Sequence, residues 1–317
     1  MAMTWRRAIP VVGALGLIAY VVIAGTAPLF LSPAALSLLF LTLYYVCLAG
    51  AWNFFSGFSG YINFGFVLFV GLGMYGSVIG FVDYKMGLIP GYLTGGLVSA
   101  IVAAVIGYPL LRIRGAYFAI SMLALAEGAR VFISTKYLTP LTRGGAGMPV
   151  LAGTLNQKYY AIFLLAVCIV LATLYFARSY YGLSLIAVRE DEAAASGLAV
   201  NTTAVKVSVF VVSAFFAGTA GGIQATFLHY IEPFAAFDIK YTMLSIVMAM
   251  FGGLGTVLGA VIGAVTLQLI SDYVWLHLGQ ANITVFGLVM VCLVIWMPDG
   301  VLVRLKEMGI LPKTRWI

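Results

Sequence analysis

Runs of apolar residues long enough to cross a lipid bilayer repeat along almost the whole of this sequence, and they limit the folds that it can adopt. A membrane-spanning helix needs about 20 predominantly apolar residues, whereas the strand of a membrane barrel alternates apolar and polar residues over about ten. The runs here do not alternate; they cover residues 8–31, 33–55, 61–82, 90–111, 116–134, 159–177, 205–229, 243–270 and 283–297. The sequence therefore predicts an all-α polytopic membrane protein, with residues 1–317 forming a single transmembrane domain.

Charged residues are too scarce to cover a soluble core. They make up 9% of the 317 residues, against about 25% in an ordinary soluble domain, and 63% of the residues are hydrophobic. The net charge of +7 needs no nucleic acid, because cytoplasmic loops of membrane proteins carry excess lysine and arginine. Cys47, Cys168 and Cys292 all lie in apolar runs, which favours small packing residues over a disulfide or a metal site. The apolar stretch after Arg6 and Arg7 is too long for a secretory signal and is predicted to be the first span.

The basic residues set the expected orientation, because lysine and arginine concentrate in cytoplasmic loops. They place both termini, the turn at 112–114 and the loop at 178–206 in the cytoplasm. After seven spans the chain is outside, and it needs one or three more crossings to end inside. Splitting the long run 243–270 at its sequence GGLGTVLG (252–259) gives ten spans. The alternative is eight spans plus a re-entrant loop.

Two segments, one in each half of the chain, are interrupted by glycines: FSGFSGYINFGF (55–66) and MFGGLGTVLGAVIGA (250–264). Irregular backbone at membrane depth is tolerated only where it is buried in protein or lines an aqueous cavity, and paired broken segments in transporters point to the permeation path. Glycines four residues apart also permit close helix packing. Packing is the favoured interpretation for Gly218, Gly222, Gly255, Gly259 and Gly263. Both interpretations stay open for the first segment, where Asn53 and Asn63 accompany Gly57 and Gly60.

The sequence lacks the motifs of an enzyme. No GxxxxGK[ST] motif occurs, so the chain does not bind ATP through a P-loop, and His229 and His277 are too far apart to suggest a metal pair. Glu127 and Arg130 are ionisable residues within a predicted span, and their i,i+3 spacing puts them on one helix face. Charges inside a membrane are costly and usually face the bundle interior or a water-filled cavity. The two residues are therefore predicted to form either a structural ion pair or the polar lining of a solute path.

The loop at 178–206 is the largest polar insertion. Its sequence LSLIAVREDEAAAS consists mostly of good helix formers and predicts one helix about 21 Å long. Leu183, Ile186 and Ala187 share a face on which Glu190 follows, an amphipathic arrangement suited to a groove in a partner protein. The alternative is a solvated interfacial helix without a partner.

Four stretches of the sequence resemble the LivM-type permease subunit of branched-chain amino acid ABC importers, and the resemblance covers nearly the whole length. They are NFFSGFSGYINFGFVLFVGLGMY (53–75), RIRGAYFAISMLALAEGAR (112–130), LTRGGAGMP (141–149) and GLSLIAVREDEAAASGLAVNTTAVKVSVFVVSAFFAGTAGGIQA (182–225), the last continuing to FGGLGTVLGAVIGA (251–264). The resemblance implies a permease domain with a cytoplasmic coupling helix in the 178–206 loop. The Glu192-Ala193-Ala194 triplet and Gly197 resemble the EAA-and-glycine motif of importer permeases. The residues implied to couple to an ATPase are Arg189, Glu190, Asp191, Glu192, Ala193, Ala194 and Gly197.

The resemblance also implies an assembly in a bacterial or archaeal cytoplasmic (inner) membrane. Its members are a second, LivH-like permease, two cytoplasmic ATPase subunits and a periplasmic or lipid-anchored substrate-binding protein. This chain, surrounded by membrane lipid, holds no cofactor, and ATP and Mg are bound by the ATPase subunits. The candidate translocation path comprises Asn53, Gly57, Gly60, Asn63, Tyr75, Glu127 and Arg130.

Several functions remain open at this stage. Branched-chain amino acids are the expected solutes, and similar permeases serve urea, short amides and other small solutes. A self-contained secondary transporter or channel is a further alternative, although the spans lack the series of carboxylates expected of an ion-coupled carrier. A structural subunit of another membrane complex, which carries no flux, is the third.

Overall fold

The structure, a computed structural model, describes residues 25–28, 30–278, 287 and 291. Within these residues, seven helices are long and apolar enough to cross a membrane, and Val67–Val82 is a shorter apolar helix. The protein is therefore a polytopic helical membrane protein. The helices are α1 (Pro33–Trp52), α2 (Val67–Val82), α3 (Leu88–Leu110), α4 (Ala116–Ile133), α5 (Thr139–Thr142), α6 (Leu155–Arg178), α7 (Tyr180–Glu190), α8 (Glu192–Gly197), α9 (Thr202–Leu228), α10 (Pro233–Ala236), α11 (Lys240–Gly252) and α12 (Val257–Leu278).

Most predicted spans coincide with helices, with one exception at a start point. The run at 61–82 becomes helical only at Val67, because the chain turns at Gly60, which has a φ of +74°, and stays irregular to Phe66. The Trp52 indole N–H donates to the Asn63 carbonyl oxygen (3.0 Å) and fixes this irregular stretch. The predicted span at 283–297, Cys292 and almost all of the predicted span at 8–31 lie outside the described residues.

Side-chain caps set several helix starts. Ser32 accepts a hydrogen bond from the Ala35 N–H, and Pro33 occupies the first position of α1, where its missing N–H does not matter. Thr154 and Gln157 form a reciprocal capping box at the start of α6. These caps position the ends of the long helices and the loops that carry the polar residues.

The core is built around α9, which contacts α1, α2, α3 and α6. Small residues bring these helices close together. A Cβ on Gly73 of α2 would overlap the backbone of Gly218, and a Cβ on Gly222 would overlap the Ser77 hydroxyl oxygen. Backbones approach this closely only where side chains are minimal. The packing is therefore continuous across α2, α3 and α9.

The long run at 243–270 is split at its glycines into a helical hairpin. In α11, Gly252 lies against Gly259 of α12, and Met248 lies against Gly263, so the two helices run antiparallel. Gly253 and Gly255 make the turn with positive φ angles (+125° and +69°), which glycine adopts at little cost. The hairpin turn is thus a built feature of the sequence GGLG.

The bundle has two distinct ends. One end, called the basic end for Arg112, Arg114 and Arg189, carries the hairpin turn, the turn between α3 and α4, and the segment from α7 to α8. The sheet end carries a two-stranded antiparallel sheet of β1 (Met148–Pro149) and β2 (Tyr230–Ile231), in which Met148 pairs with Ile231. The helix α4 connects the two ends along the side of the bundle.

Candidate functional site

The predicted fourteen-residue helix is instead two short helices, α7 and α8, separated by Asp191. Asp191 has an extended backbone (φ −156°, ψ 110°), and its carboxylate accepts hydrogen bonds from the N–H groups of Ala193 (2.8 Å) and Ala194 (3.1 Å). An aspartate cap satisfies free N–H groups at a helix start and competes with continuation of the preceding helix. The prediction of one helix was wrong because this cap outweighs the helix propensity of the flanking residues.

The two short helices and Asp191 (180–197), here called the docking segment, present one face to the bundle and one outward. Leu185 and Val188 are buried against the bundle. Leu183 is exposed, as is Glu190, and Ile186 is half-buried. The predicted amphipathic face is therefore outward at Leu183 and Glu190, whereas Ile186 packs partly against the core. Exposed residues of α8 continue this surface; they are Ala193, Ala194, Ser196 and Gly197.

Arg189 reaches back from the docking segment to the membrane helices. Its Nη1 donates to the carbonyl oxygen of Gly57 (2.9 Å), in the π-helical turn Asn53–Gly57 that follows α1. Its aliphatic part passes Gly60, where a Cβ would lie 3.1 Å from Arg189 Cγ. Glycine at position 60 therefore leaves room for this arginine.

Asn53 joins the broken segment of the first half of the chain to that of the second half. Its Oδ1 accepts a hydrogen bond from the Gly255 N–H (2.9 Å), and its Nδ2 donates to the Thr256 carbonyl oxygen (2.9 Å). A Cβ on Gly57 would overlap Asn53 Oδ1 and lie 2.8 Å from the Gly255 nitrogen. Asn53 itself is buried. We call this cluster the glycine junction; it comprises Asn53, Gly57, Gly60, Arg189 and Gly255.

Glu192 fastens α8 to the bundle through a buried lysine. Its Oε1 accepts a hydrogen bond from Lys206 Nζ (2.6 Å), and its Oε2 lies 3.2 Å from both Arg114 Nη2 and the Tyr61 hydroxyl. Lys206, whose side chain is 3% exposed, also donates to the Leu111 carbonyl oxygen (2.8 Å). We call Glu192, Lys206, Arg114 and Tyr61 the Glu192 anchor.

The electrostatics of the anchor keep Glu192 ionised. Burial raises the pKa of the Glu192 carboxyl, but the hydrogen bond and charge of Lys206, followed by Arg114 and Tyr61, outweigh it, so the pKa lies below its ordinary value. A buried ammonium with a carboxylate, a carbonyl and a hydroxyl around it has its donors satisfied. The anchor is therefore a stable ion pair at neutral pH.

A cavity of about 840 Å³ lies between the docking segment and the start of α4. Its walls carry both signs of charge, including Arg114 and Arg189 on one hand and Glu190 and Glu192 on the other. Gly60 also lines it. The basic end thus has a cavity beside α4 whose wall combines these charged groups with apolar side chains such as Ile120 and Leu123.

At the other end of α4, Glu127 and Arg130 form the ion pair that their spacing predicts, with Oε2 and Nη2 2.6 Å apart. The Arg130 guanidinium also lies over the Phe234 ring, 4.5 Å from its centroid. These residues line a cavity of about 400 Å³ together with Glu232 and Asp238. A second cavity with charged groups in its wall therefore borders the sheet end of α4.

The remaining predicted path residues lie elsewhere. Asn63 is buried beside Trp52, and Tyr75 of α2 stacks on Phe237 with ring centroids 6.4 Å apart. The structure therefore gathers Asn53, Gly57 and Gly60 at the basic end and separates them from Glu127 and Arg130. Of the five glycines predicted to pack, Gly218, Gly222, Gly259 and Gly263 lie in helices against neighbouring backbone or side chains, whereas Gly255 lies in the hairpin turn.

In the sequence, Lys206 and Arg114 indicate only the orientation of the chain, and no motif singles out Tyr61 or Thr256. The available signal was Lys206 itself, a lone charge one turn into an apolar helix that follows a segment with three acidic residues. A charge so placed requires a partner. The contacts of Tyr61 and Thr256 have no local sequence signature, because they join segments more than 100 residues apart.

Comparison with known proteins identifies relatives over most of the chain. A family model described as the permease component of the branched-chain amino acid transport system matches residues 34–297. The permease LivM of the high-affinity branched-chain amino acid transport system of Salmonella typhimurium is 28% identical, and that of Escherichia coli is 26% identical; each alignment covers 90% of this chain and 74% of the relative. The LivH permease of Escherichia coli is 31% identical over 42% of each chain. No solved structure matches the chain.

Proposed function

The chain belongs to the family of permease components of branched-chain amino acid transport systems, and we propose that it forms one half of the membrane path of an importer for branched-chain amino acids. It is a permease component of an ABC transport system and not an enzyme. The observation that carries the proposal is the family match, which spans the glycine junction, the docking segment and both cavities beside α4.

The proposed topology has ten spans with both termini in the cytoplasm. The antiparallel hairpin of α11 and α12 supports two separate crossings in the 240–278 region. Excess arginine and lysine mark the cytoplasmic side of the cytoplasmic (inner) membrane, so the basic end faces the cytoplasm and the sheet end faces outward. The N-terminal and C-terminal apolar runs supply the remaining two spans of this proposal.

The proposed partners are two cytoplasmic ATPase subunits, a LivH-like permease and a substrate-binding protein outside the membrane. The match to LivH over 134 residues supports two related permeases in one assembly. The outward face of the docking segment, with Leu183 and Glu190, suits a groove on an ATPase. ATP and Mg bind to those ATPase subunits in this proposal.

The proposed path runs along α4. This helix buries a single stripe, formed by Phe118, Met122, Ala126 and Ile133, and leaves its other faces exposed or half-buried. The cavity of about 840 Å³ lies at its start and the cavity of about 400 Å³ at its end. A second permease seated against the exposed faces of α4 would enclose a route between the two cavities.

Alternating access follows from this arrangement. The binding protein delivers solute to the cavity at the sheet end, and ATP binding and hydrolysis move the docking segment so that the path opens to the cytoplasm. Ligands drive such a change only if they bind its two states with different affinity, and ATP on the partner subunits provides that difference.

The proposed solute is a branched-chain amino acid, which is zwitterionic. The cavity at the sheet end offers Arg130 to bind a carboxylate, and Glu232 and Asp238 to bind an ammonium group. Mixed charges that are partly paired and partly exposed favour brief passage over tight binding, and the binding protein supplies the selectivity. Urea and short amides carry no such charges, and uptake of these solutes instead of amino acids is the alternative outcome of the test.

The test is co-purification followed by transport. The tagged chain is extracted from its native host in mild detergent, and its partners are identified by mass spectrometry. We expect two P-loop ATPases and a second permease, and ATP-dependent uptake of labelled leucine, isoleucine and valine by the assembly in liposomes. Recovery of this chain alone with gradient-driven flux would refute the importer, and uptake of urea or acetamide without amino acid uptake would reassign the solute.

A further inference from the structure

Two links of different character connect the docking segment to the membrane helices. The Glu192 anchor joins α8 to the base of α9 through a buried ion pair, whereas Arg189 joins α7 to the glycine junction through a hydrogen bond to backbone. The two links lie on either side of Asp191, the extended residue that separates α7 from α8. A movement of α7 relative to α8 would therefore reach the membrane through Arg189.

A route of hydrogen bonds joined by one π-helical turn leads onward from Arg189. Arg189 holds the carbonyl oxygen of Gly57, and Asn53 begins the same π-helical turn that Gly57 ends. Asn53 then holds both the Gly255 N–H and the Thr256 carbonyl oxygen in the hairpin turn. Through these few side chains the route joins residues that lie more than 200 positions apart in the sequence.

The elements at the end of this route are suited to move. The hairpin turn at 253–256 rests on glycines with positive φ rather than on bulky side chains. The π-helical turn is a local departure from the α-helix, of the kind that recurs at functional sites. The Ser56 hydroxyl, in the same turn, is buried without a hydrogen-bond partner among the described residues. A buried hydroxyl without a protein partner is a feature that calls for a functional or structural explanation.

We propose that Arg189, the 53–57 turn and Asn53 form a mechanical relay that transmits movement of the docking segment to the hairpin turn of α11 and α12. Arg189 and Asn53 are positioning residues in this relay and act through the backbone groups to which they bond. The inference rests on the proposed importer function and adds to it the route by which the ATPase subunits act on the membrane path.

The experiment uses the complete importer, with both permeases, the ATPases and the binding protein, in nanodiscs and liposomes. Arg189→Gln removes the charge and shortens the reach to Gly57. Gly57→Ala displaces Asn53 from Gly255, because the added Cβ occupies the place of Asn53 Oδ1. We expect each variant to keep ATP hydrolysis within about twofold of wild type and to transport about fivefold less solute per ATP, at the lower end of typical coupling between sites.

Two control variants separate the relay from general damage. Arg178→Gln removes an exposed arginine at the same end of the bundle, for which the described residues provide no hydrogen bond or ion pair, and it should leave the transport ratio unchanged. Arg189→Lys retains a cationic donor and should recover part of the lost coupling. A loss of thermal stability that Arg189→Gln shares with Arg189→Lys, without recovery of coupling by lysine, would indicate a merely structural role.

The double variant tests whether the links act in series. If they do, the double variant Arg189→Gln with Gly57→Ala should transport as much solute per ATP as whichever single variant transports less. Multiplication of the two losses, or an unchanged ratio in Arg189→Gln, would overturn the relay.

A spectroscopic measurement gives a result that does not depend on the solute. Spin labels at Leu254, in the hairpin turn, and at Val212, an exposed position on α9, report the turn's displacement with native cysteines replaced by serine. Addition of ATP and Mg should change this distance in the wild-type background and leave it unchanged with Arg189→Gln. An equal change in both would exclude the relay, while absence of ATP-dependent uptake in wild type would refute the proposed function itself.

Discussion

Replacement of Glu192 by glutamine tests the Glu192 anchor most directly. Glu192→Gln keeps the size of the side chain and an oxygen that accepts a hydrogen bond from Lys206. It removes the charge that balances the Lys206 ammonium, whose side chain is 3% exposed. A buried charge that loses its partner is strongly destabilising.

The magnitude follows from the burial of the pair. Removing one partner of a buried ion pair costs about 3–5 kcal/mol. We place this substitution at about 3 kcal/mol, because Lys206 keeps its bonds to Leu111 and Tyr61. At about 2 °C per kcal/mol, as in larger domains, the midpoint of thermal unfolding should fall by about 6 °C. Replacement of both members, Glu192→Gln with Lys206→Met, should recover most of the loss because no unpaired charge remains.

The assay is thermal unfolding of the purified chain in detergent without partner proteins, with Glu190→Gln as the matched control. Glu190 carries the same charge two positions away, but it is exposed and faces outward, so its replacement should change stability by less than about 0.5 kcal/mol. Charge reversal at Glu190 should instead reduce coupling to the ATPase in an assembled complex. An equal effect of Glu192→Gln and Glu190→Gln on unfolding, or a double variant less stable than Glu192→Gln alone, would refute the anchor.

Three further results are expected. The difference in unfolding free energy between wild type and Glu192→Gln should be constant above about pH 4.3 and shrink below it. The reason is that a carboxylate whose pKa is lowered in the folded state contributes stability that is lost as the pH falls through that pKa. A difference that does not change with pH down to unfolding would contradict this. Gly73→Ala should destabilise the chain by about 1–3 kcal/mol, because the new Cβ overlaps the backbone of α9. Gly128→Ala is the control: no atom lies within 4 Å of its new Cβ, so it should be neutral or stabilising by up to about 1 kcal/mol in the same unfolding assay. Glu127→Gln should change unfolding by less than about 1 kcal/mol, because Glu127 is 46% exposed, yet lower the uptake rate by freeing Arg130; an unchanged uptake rate would remove this pair from the path.

The spans could be predicted because hydrophobicity over 20 residues is a local property of the sequence. The split of the 243–270 run was predicted because the orientation of the termini requires a further crossing and GGLG gathers the glycines at which the run can turn. The pairing of Glu127 with Arg130 followed from helical spacing alone. Each of these features depends on residues that are neighbours in sequence.

The docking segment shows where local propensity fails. Alanine and glutamate around Asp191 predict a continuous helix, but the helix is interrupted because the Asp191 side chain caps the next helix. The contacts of Arg189 and Lys206 depend on how distant segments pack, so a single sequence does not show that both side chains turn toward the bundle. Residues implied to touch an ATPase, Arg189 and Glu192, thus make their described contacts with the membrane domain instead.

The glycine junction also changes what the glycines of the first broken segment mean. Permeation path and helix packing were the two interpretations, and each treats a glycine as space left for a solute or for another helix. At Gly57 and Gly60 the space is occupied by the side chains of Asn53 and Arg189, both of which bond to backbone of the opposite segment or turn. Glycine there admits polar side chains that tie the two halves of the chain to the docking segment. A larger residue at either position would therefore break a connection before it narrowed a path, and coupling should be lost in variants whose solute path is still open.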